Sequence, residues 1–255
     1  MRPLLFLLLL ALSASAALSD KELESIGHRV WKNECAGTRD GLTSWNEGEN
    51  FASLGIGHFI WYVKGSEGPF EESFPKLLRY FTENGVKLPD WLQPDSHCPW
   101  QSRAEFKAAF HSDRMNALRD LLAAPASIKL QSRFLALRLE EALPKMLGEA
   151  PGGERENIRR QFDRLKATGA GTFALIDYVN FKGEGTNARE RYKGEGWGLL
   201  QVLEGMHGTE GDAAKEFGAS AAEVLTRRVR NAPVERGEGR WLEGWKARVR
   251  AYGGE

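Results

Sequence analysis

Apolar residues recur every three or four positions over most of this chain, a spacing typical of amphipathic helices. Pro144 is expected to end one helix because proline lacks the backbone donor, and Gly-Ala-Gly at 169–171 is expected to separate two others. After the first helix, the pattern predicts helices over residues 74–85, 102–122, 128–143, 154–165, 172–179, 212–230 and 241–252, and a Gly-rich entry at 194–198 begins one more. The chain is therefore predicted to be mainly helical.

The first helix has a clear beginning and a clear end in the sequence. Ser19 and Glu22 make up a Ser-x-x-Glu capping box, which satisfies free backbone donors at a helix start. Ile26 then follows on the apolar face at helical spacing. The helix carries Glu34 to its C-terminal end, where Gly37 is available as the stop.

One hairpin interrupts the helical pattern. Residues 41–45 and 51–55 have the composition of two short strands, and turn-forming residues dominate 46–50 between them. With the helices, this predicts an α+β, mainly α fold, in which a small hairpin lobe at about residues 38–62 is set on a larger helical lobe formed by the rest of 17–255.

Composition and charge limit the possible functions. A chain of 255 residues, 42% apolar and 27% charged, can bury a substantial core. Arg2, a leucine-rich run and Ala14-Ser15-Ala16 predict that residues 1–16 are a secretory signal peptide, with a retained membrane anchor as the alternative. Acidic and basic side chains are balanced at 35 each, and that balance argues against a nucleic-acid partner, which requires a basic face.

Motifs for several other chemistries are missing from the sequence. It contains no H-x-x-x-H or C-x-x-C spacing, so no metal site is expected, and no cofactor is predicted. It contains neither a G-x-S-x-G elbow nor a P-loop. Cys35 and Cys98 could form a disulfide in an exported protein or remain two buried thiols, and the sequence does not decide between these.

Candidate chemistry is concentrated between residues 31 and 62. Glu34 ends the first helix, Glu47 and Glu49 lie in the polar turn, and Ser53 opens the run Ser-Leu-Gly-Ile-Gly-His-Phe. In an extended second strand, positions 49 and 53 share a face, whereas position 47 joins them only if the turn is short, so both glutamates stay candidates for a second carboxylate. Glycosidic bonds are cleaved by such a pair: one carboxyl group protonates the leaving oxygen while another group orients water or stabilises the developing cation.

This segment resembles the phage-type lysozymes. Those proteins carry a Glu at the end of their first helix, an acid or cysteine further on, and then Thr-x-Gly-x-Gly-His, with a small β-hairpin between. Residues 53–58, Ser-Leu-Gly-Ile-Gly-His, match the last motif with Ser for Thr, and the family's offset back from Ser53 leads to Glu47, where Glu stands for Asp. The interval from Glu34 to Glu47 is longer than the family's usual one, and lysozyme-like chitosanases with the same plan have longer intervals still.

The resemblance implies a lysozyme-like fold with an active-site cleft between the two lobes. It implies Glu34 as the general acid, Glu47 as the second carboxylate and Ser53 as a hydroxyl that orients water. The expected substrate-binding residues are Trp45, Glu49, His58, Asn180 and Trp197. His58 also fits a structural histidine between the lobes, and each tryptophan also fits core packing.

The function that follows is a peptidoglycan-degrading glycoside hydrolase of the muramidase type. Its expected partner is peptidoglycan or a related β-1,4 glycan, its location periplasmic or secreted, and its state monomeric, without membrane insertion once the signal is removed. The alternatives are a lytic transglycosylase, a chitosanase-like glycosidase, and a secreted glycan-binding protein that has the lysozyme shape but no chemistry.

Overall fold

The computed structural model describes residues 18–68 and 70–254, and the predicted signal peptide lies outside this part of the chain. Its helices are α1 (Asp20–Cys35), α2 (Phe74–Glu83), α3 (Arg103–Ala108), α4 (Asp113–Ala123), α5 (Pro125–Glu149), α6 (Arg155–Lys166), α7 (Gly169–Lys182), α8 (Leu199–Glu204), α9 (Ala213–Asn231) and α10 (Leu242–Arg250). Short 3-10 turns at Asp40–Leu42, Val234–Arg236, Glu238–Trp241 and Ala251–Gly253 join or extend them. None of the described helices is long and apolar enough to cross a membrane.

The predicted hairpin is part of a three-stranded antiparallel sheet. Its strands are β1 (Thr43–Ser44), β2 (Phe51–Leu54) and β3 (Phe59–Tyr62), in the order β1-β2-β3. The sequence did not predict β3 as a strand, although its run Phe-Ile-Trp-Tyr has the composition of one. The α+β, mainly helical class is confirmed.

A second, smaller hairpin corrects the helix predicted to begin at the Gly-rich run. Residues Arg191–Tyr192 (β4) and Glu195–Gly196 (β5) pair as antiparallel strands, and α8 begins only at Leu199. Lys193 (φ 52°) and Gly194 (φ 83°) supply the left-handed turn between the strands.

Helix α7 lies at the centre of the helical part. Every residue from 171 to 179 is buried, so the helix is surrounded by protein on all sides. It begins at Gly169, with the hydroxyl of Thr168 accepting from the backbone N–H of Gly171. The two predicted helices are separate, but the break lies at residues 167–168, and the Gly-Ala-Gly run forms the first turn of α7. A Cβ at Gly171 would lie 2.3 Å from the carbonyl oxygen of Leu165, so glycine is needed here for close packing.

Two other helix boundaries differ from the prediction for identifiable reasons. The helix predicted over 102–122 is divided into α3 and α4, because Ser112 acts as an N-cap and accepts from the N–H of Met115. Pro144 does not end α5, which continues to Glu149. Pro144 is exposed, so water can satisfy the backbone carbonyl that loses its helical donor, while Ala142 and Met146 are fully buried and hold the helix in the core.

The two cysteines are free thiols. Cys35 and Cys98 are both buried, and burial raises the pKa of each thiol to about 12. The thiol of Cys35 donates to the carbonyl oxygen of Gly55 across 3.5 Å, which ties the end of α1 to the turn after β2.

Candidate active site

Glu34 lies one residue before the end of α1, and its side chain is 14% exposed. Its Oε1 accepts from Nη2 of Arg248 at 2.6 Å and from Nδ2 of Asn180 at 3.3 Å. The helix stops just beyond it because Ala36 takes a left-handed conformation (φ 52°), with the N–H of Gly37 bonded to the carbonyl of Trp31. The carboxylate therefore stands at a rigid helix end with one of its two oxygens fixed.

His58 faces the other oxygen of Glu34. Its Nδ1 lies 3.7 Å from Oε2 of Glu34, and its Nε2 lies 3.2 Å from the carbonyl oxygen of Gly41. A carbonyl can only accept, so Nε2 carries a proton, and Nδ1 is the ring nitrogen that faces the carboxyl group. His58 itself has a positive φ of 49°, which turns its ring back from the glycine loop toward α1.

The two glycines of the loop permit close approach to neighbouring helices. Gly55 has φ 73°, and a Cβ there would lie 2.3 Å from Oε1 of Gln131 on α5, the atom that accepts from the N–H of Ile56. A Cβ at Gly57 would meet Oδ1 of Asn180 on α7 at 3.1 Å. Tight packing against α5 and α7 therefore accounts for both glycines.

A buried polar cluster of Asp177, Arg248 and Tyr252 lies next to Glu34. Asp177 on α7 is fully buried; its carboxylate accepts from Nε and Nη2 of Arg248 at 2.8 and 2.9 Å and from the hydroxyl of Tyr252 at 2.5 Å. Asn33, beside Glu34 in the sequence, donates to the same carboxylate at 3.1 Å. Burial alone would lower the pKa of Arg248, but the two carboxylates outweigh it and raise that pKa. Arg248 is therefore a fixed cation between Glu34 and Asp177.

No role was predicted for Asp177 or Arg248 from the sequence, and only one of the two carries a signal there. Asp177 is the only charged residue in the apolar run Phe173–Val179, and a buried charge needs a partner. Arg248 carries no comparable signal, since basic residues recur along α10 at 246, 248 and 250, as they do on many exposed helices.

Lys182 adds an unusual amine beside this cluster. Its Nζ lies 3.5 Å from the ring centroid of Trp245 and 3.9 Å from that of Phe181. Burial, together with the guanidinium groups of Arg228 and Arg248, lowers its pKa to about 6.

The structure separates the two candidate carboxylates of the hairpin. Glu47 is exposed in the turn between β1 and β2. Glu49 is half-buried, and its Oε2 accepts from Nδ2 of Asn46 at 3.1 Å. Burial raises the pKa of Glu49, with Asn46 and the nearby charge of His58 acting in the opposite direction. Glu49 is therefore the hairpin carboxylate that the fold removes in part from solvent.

Ser53 and Trp45 lie in the sheet near this glutamate. Ser53 sits in the middle of β2, 4% exposed, opposite Ser44 and Ile60 on the sheet face whose residues are partly open. Trp45 is 7% exposed and packs on Phe106 at 5.7 Å, with its indole N–H donating to the carbonyl of Glu49 at 2.8 Å. Trp45 thus anchors the turn that carries Glu49.

Trp197 lies in an aromatic and cationic stack away from the sheet. It is 8% exposed, with its ring 4.6 Å from that of Tyr192 and the guanidinium of Arg228 above it at 4.2 Å. Its backbone carbonyl accepts from the buried hydroxyl of Tyr178. These contacts are those of a packed core residue.

The structure thus brings His58 and Asn180 to the two oxygens of Glu34 and leaves Glu49 half-buried in the hairpin turn. Within residues 18–68 and 70–254, no group of three or more His, Cys, Asp or Glu side chains could hold a metal ion. Comparison of the chain with protein-family models, with curated proteins and with solved structures gives no match.

Proposed function

We propose that this protein is an exported glycoside hydrolase that cleaves β-1,4 bonds of peptidoglycan, with Glu34 as general acid, on a lysozyme-like fold. The observation that carries the proposal is the setting of Glu34 at the end of α1, held by Arg248 and Asn180 and faced by His58 from the glycine loop. The resemblance of residues 53–58 to the phage-type lysozyme motif supplies the substrate class.

The hydrogen bonds of Glu34 indicate which oxygen delivers the proton. Oε1 accepts two N–H donors, so it has no room for a proton of its own. Oε2 faces Nδ1 of His58 across 3.7 Å, a gap too long for a good hydrogen bond. In the general-acid role proposed for Glu34, Oε2 is therefore the oxygen that passes the proton to the leaving glycosidic oxygen.

Glu49 is the better of the two hairpin carboxylates for the second role. It is half-buried and interacts with His58, whereas Glu47 points from an exposed turn. A carboxylate with a raised pKa is a stronger base, and that favours removal of a proton from an attacking water. Residue 51 is the first position of β2 after the turn that carries Glu49, and Ser53 lies on the same face of the strand. We assign the Ser53 hydroxyl the role of orienting that water.

The test is the rate of sacculus solubilisation by Glu34→Gln. General acid catalysis contributes about 10²–10⁴-fold, so the variant should lose activity on at least that scale while keeping its melting temperature within a few degrees. Glu24→Gln is the matched control, since Glu24 is an exposed residue of the same helix and should keep full activity. Near-normal turnover by a well-folded Glu34→Gln protein would exclude Glu34 as the acid.

Mass spectrometry of the released sugars distinguishes the related reactions. A hydrolase gives reducing ends, and activity should then fall in Glu49→Gln and remain in Glu47→Gln. Anhydro-sugar products with full activity in both variants would instead identify a lytic transglycosylase. Loss in Glu47→Gln alone would return the second role to Glu47.

A further inference from the structure

A cavity of about 270 Å³ lies between α2 and α5. Tyr80, Phe134 and Leu137 form its apolar wall, and Phe134 packs against Tyr80 with ring centroids 5.7 Å apart. This volume approaches the lower limit of about 300 Å³ for small-molecule pockets and suits a ligand of dipeptide size.

Most charged groups around the cavity already have partners. The pairs are Lys76 with Glu71, Lys145 with Glu184 at 2.9 Å, and Arg79 with Asp95 at 3.3 Å. Arg138 on α5 differs from them, because it makes no hydrogen bond and no ion pair with any residue in the described part of the chain. It is nevertheless half-buried, and burial lowers the pKa of its guanidinium although Glu71, Glu184 and Glu141 act in the opposite direction.

An unpaired guanidinium in a half-buried position has an unused capacity for binding. Arg presents five N–H donors in a planar fork that fits a carboxylate with two parallel hydrogen bonds. Hydrogen bonds between a guanidinium and a carboxylate are charge-assisted and about twice as strong as neutral ones, so a ligand that supplies a carboxylate gains affinity there. The apolar wall beside it suits a short aliphatic chain.

We propose that this cavity binds the C-terminal carboxylate of a short peptide through Arg138, with the peptide's apolar side chains against Tyr80 and Phe134. If the protein degrades peptidoglycan as proposed above, the peptide stems of that polymer are one source of this carboxylate, and free peptides are the other.

The cavity adjoins the Glu34 site through two stretches of chain. Phe59 follows His58 directly, and its ring packs on Phe134 of the cavity wall with centroids 5.5 Å apart. Glu184, which lines the cavity, is four residues beyond Asn180, so the two Cα atoms are within about 14 Å. The cavity and the Glu34 site are therefore neighbours in the fold.

Calorimetric titration with N-acetyl-D-alanyl-D-alanine tests the site directly, with the C-terminal amide of the same dipeptide as the matched ligand. The acid should bind roughly 10- to 100-fold more tightly than the amide, the range expected for a charge-assisted hydrogen-bonded pair. Arg138→Gln should bring the acid down to the affinity of the amide. Arg133→Gln, on the same helix but paired with Asp20, should leave both unchanged.

Equal affinities for acid and amide, no binding at millimolar concentration, or an Arg138→Gln protein that still prefers the acid would each overturn the proposal. The titration is repeated in Glu34→Gln, where no chemistry is involved, so failure of the glycosidase proposal leaves this readout intact. The source is assigned by KM: Arg138→Gln should raise KM for intact sacculi and not for glycan strands stripped of peptide by an amidase. An unchanged KM on both, with lost dipeptide binding, assigns the site to free peptides.

Discussion

Replacement of Arg248 by methionine tests whether charge pairing holds the candidate active site together. Arg248 is 12% exposed and lies between Glu34 and Asp177, which is fully buried. Methionine preserves much of the packing volume but leaves Asp177 as a buried carboxylate with only Asn33 and Tyr252 as hydrogen-bond donors. Removing one partner of a buried ion pair costs about 3–5 kcal/mol, because the remaining charge is uncompensated.

The expected loss is large enough to measure by thermal and urea unfolding. For a chain of this size, each kcal/mol lowers the melting temperature by about 2–4 °C, so Arg248→Met should melt about 6–20 °C below the parent protein. Arg250→Met is the control, since Arg250 is exposed at the end of the same helix and its replacement should change stability by less than about 0.5 kcal/mol.

The decisive variant combines Arg248→Met with Asp177→Asn. Removing both charges removes the uncompensated carboxylate, while asparagine can still accept from Asn33, so the double variant should be more stable than Arg248→Met alone by about 2 kcal/mol or more. Equal stability of the single and double variants would refute the reasoning. The loss would then come from packing of the guanidinium on Phe181, whose ring centroid is 4.0 Å away.

Three further outcomes follow from the same structure. Glu49→Gln should raise the free energy of unfolding at pH 7 but not below about pH 4. The folded pKa of Glu49 is raised, so its ionisation at pH 7 destabilises the folded state, whereas at low pH the carboxyl group is protonated in both states. Equal gains in urea unfolding at both pH values would contradict this. Lys182→Met should also stabilise the protein, by an amount that grows as pH falls from about 10 to about 6. The folded pKa of Lys182 lies below its unfolded value, so protonation over this range favours the unfolded chain. A gain in melting temperature that does not depend on pH would count against the lowered pKa. Trp197→Ala should lower the free energy of unfolding by about 3–5 kcal/mol, because the ring is 8% exposed and packs at a tilt against Tyr192. A stable variant with weakened glycan binding by calorimetry would instead support a substrate-binding role.

Local sequence chemistry was sufficient for much of the secondary structure. The capping box of Ser19 and Glu22 forms as predicted, and α1 carries Glu34 to its end. The strands on either side of the 46–50 turn also form, because their signals lie within a few residues of one another. Breaker rules failed at Pro144 and at Gly171, where buried neighbours and a close helix contact outweighed local propensity.

The candidate site was predictable only on the side formed by nearby sequence. Glu34, Glu47, Glu49, Ser53 and His58 come from one short segment. The motif of residues 53–58 and its offset pointed to Glu47, and strand geometry kept Glu49 as the alternative. The choice between Glu47 and Glu49 depended on how the turn folds, since a small change in its path moves a side chain from solvent to a half-buried position. The tertiary structure leaves Glu47 exposed and Glu49 half-buried.

The other side of the site was decided by tertiary structure alone. Arg248 lies 214 residues after Glu34, and no periodicity or local motif connects them. Their pairing requires α10 to pack across the C-terminal ends of α1 and α7, and that packing follows from the burial of Val249 and Tyr252 in the shared core. A sequence determines which residues can form a helix or carry a charge, but long-range contacts depend on how apolar faces from distant helices fit together, and that fit is a property of the whole fold.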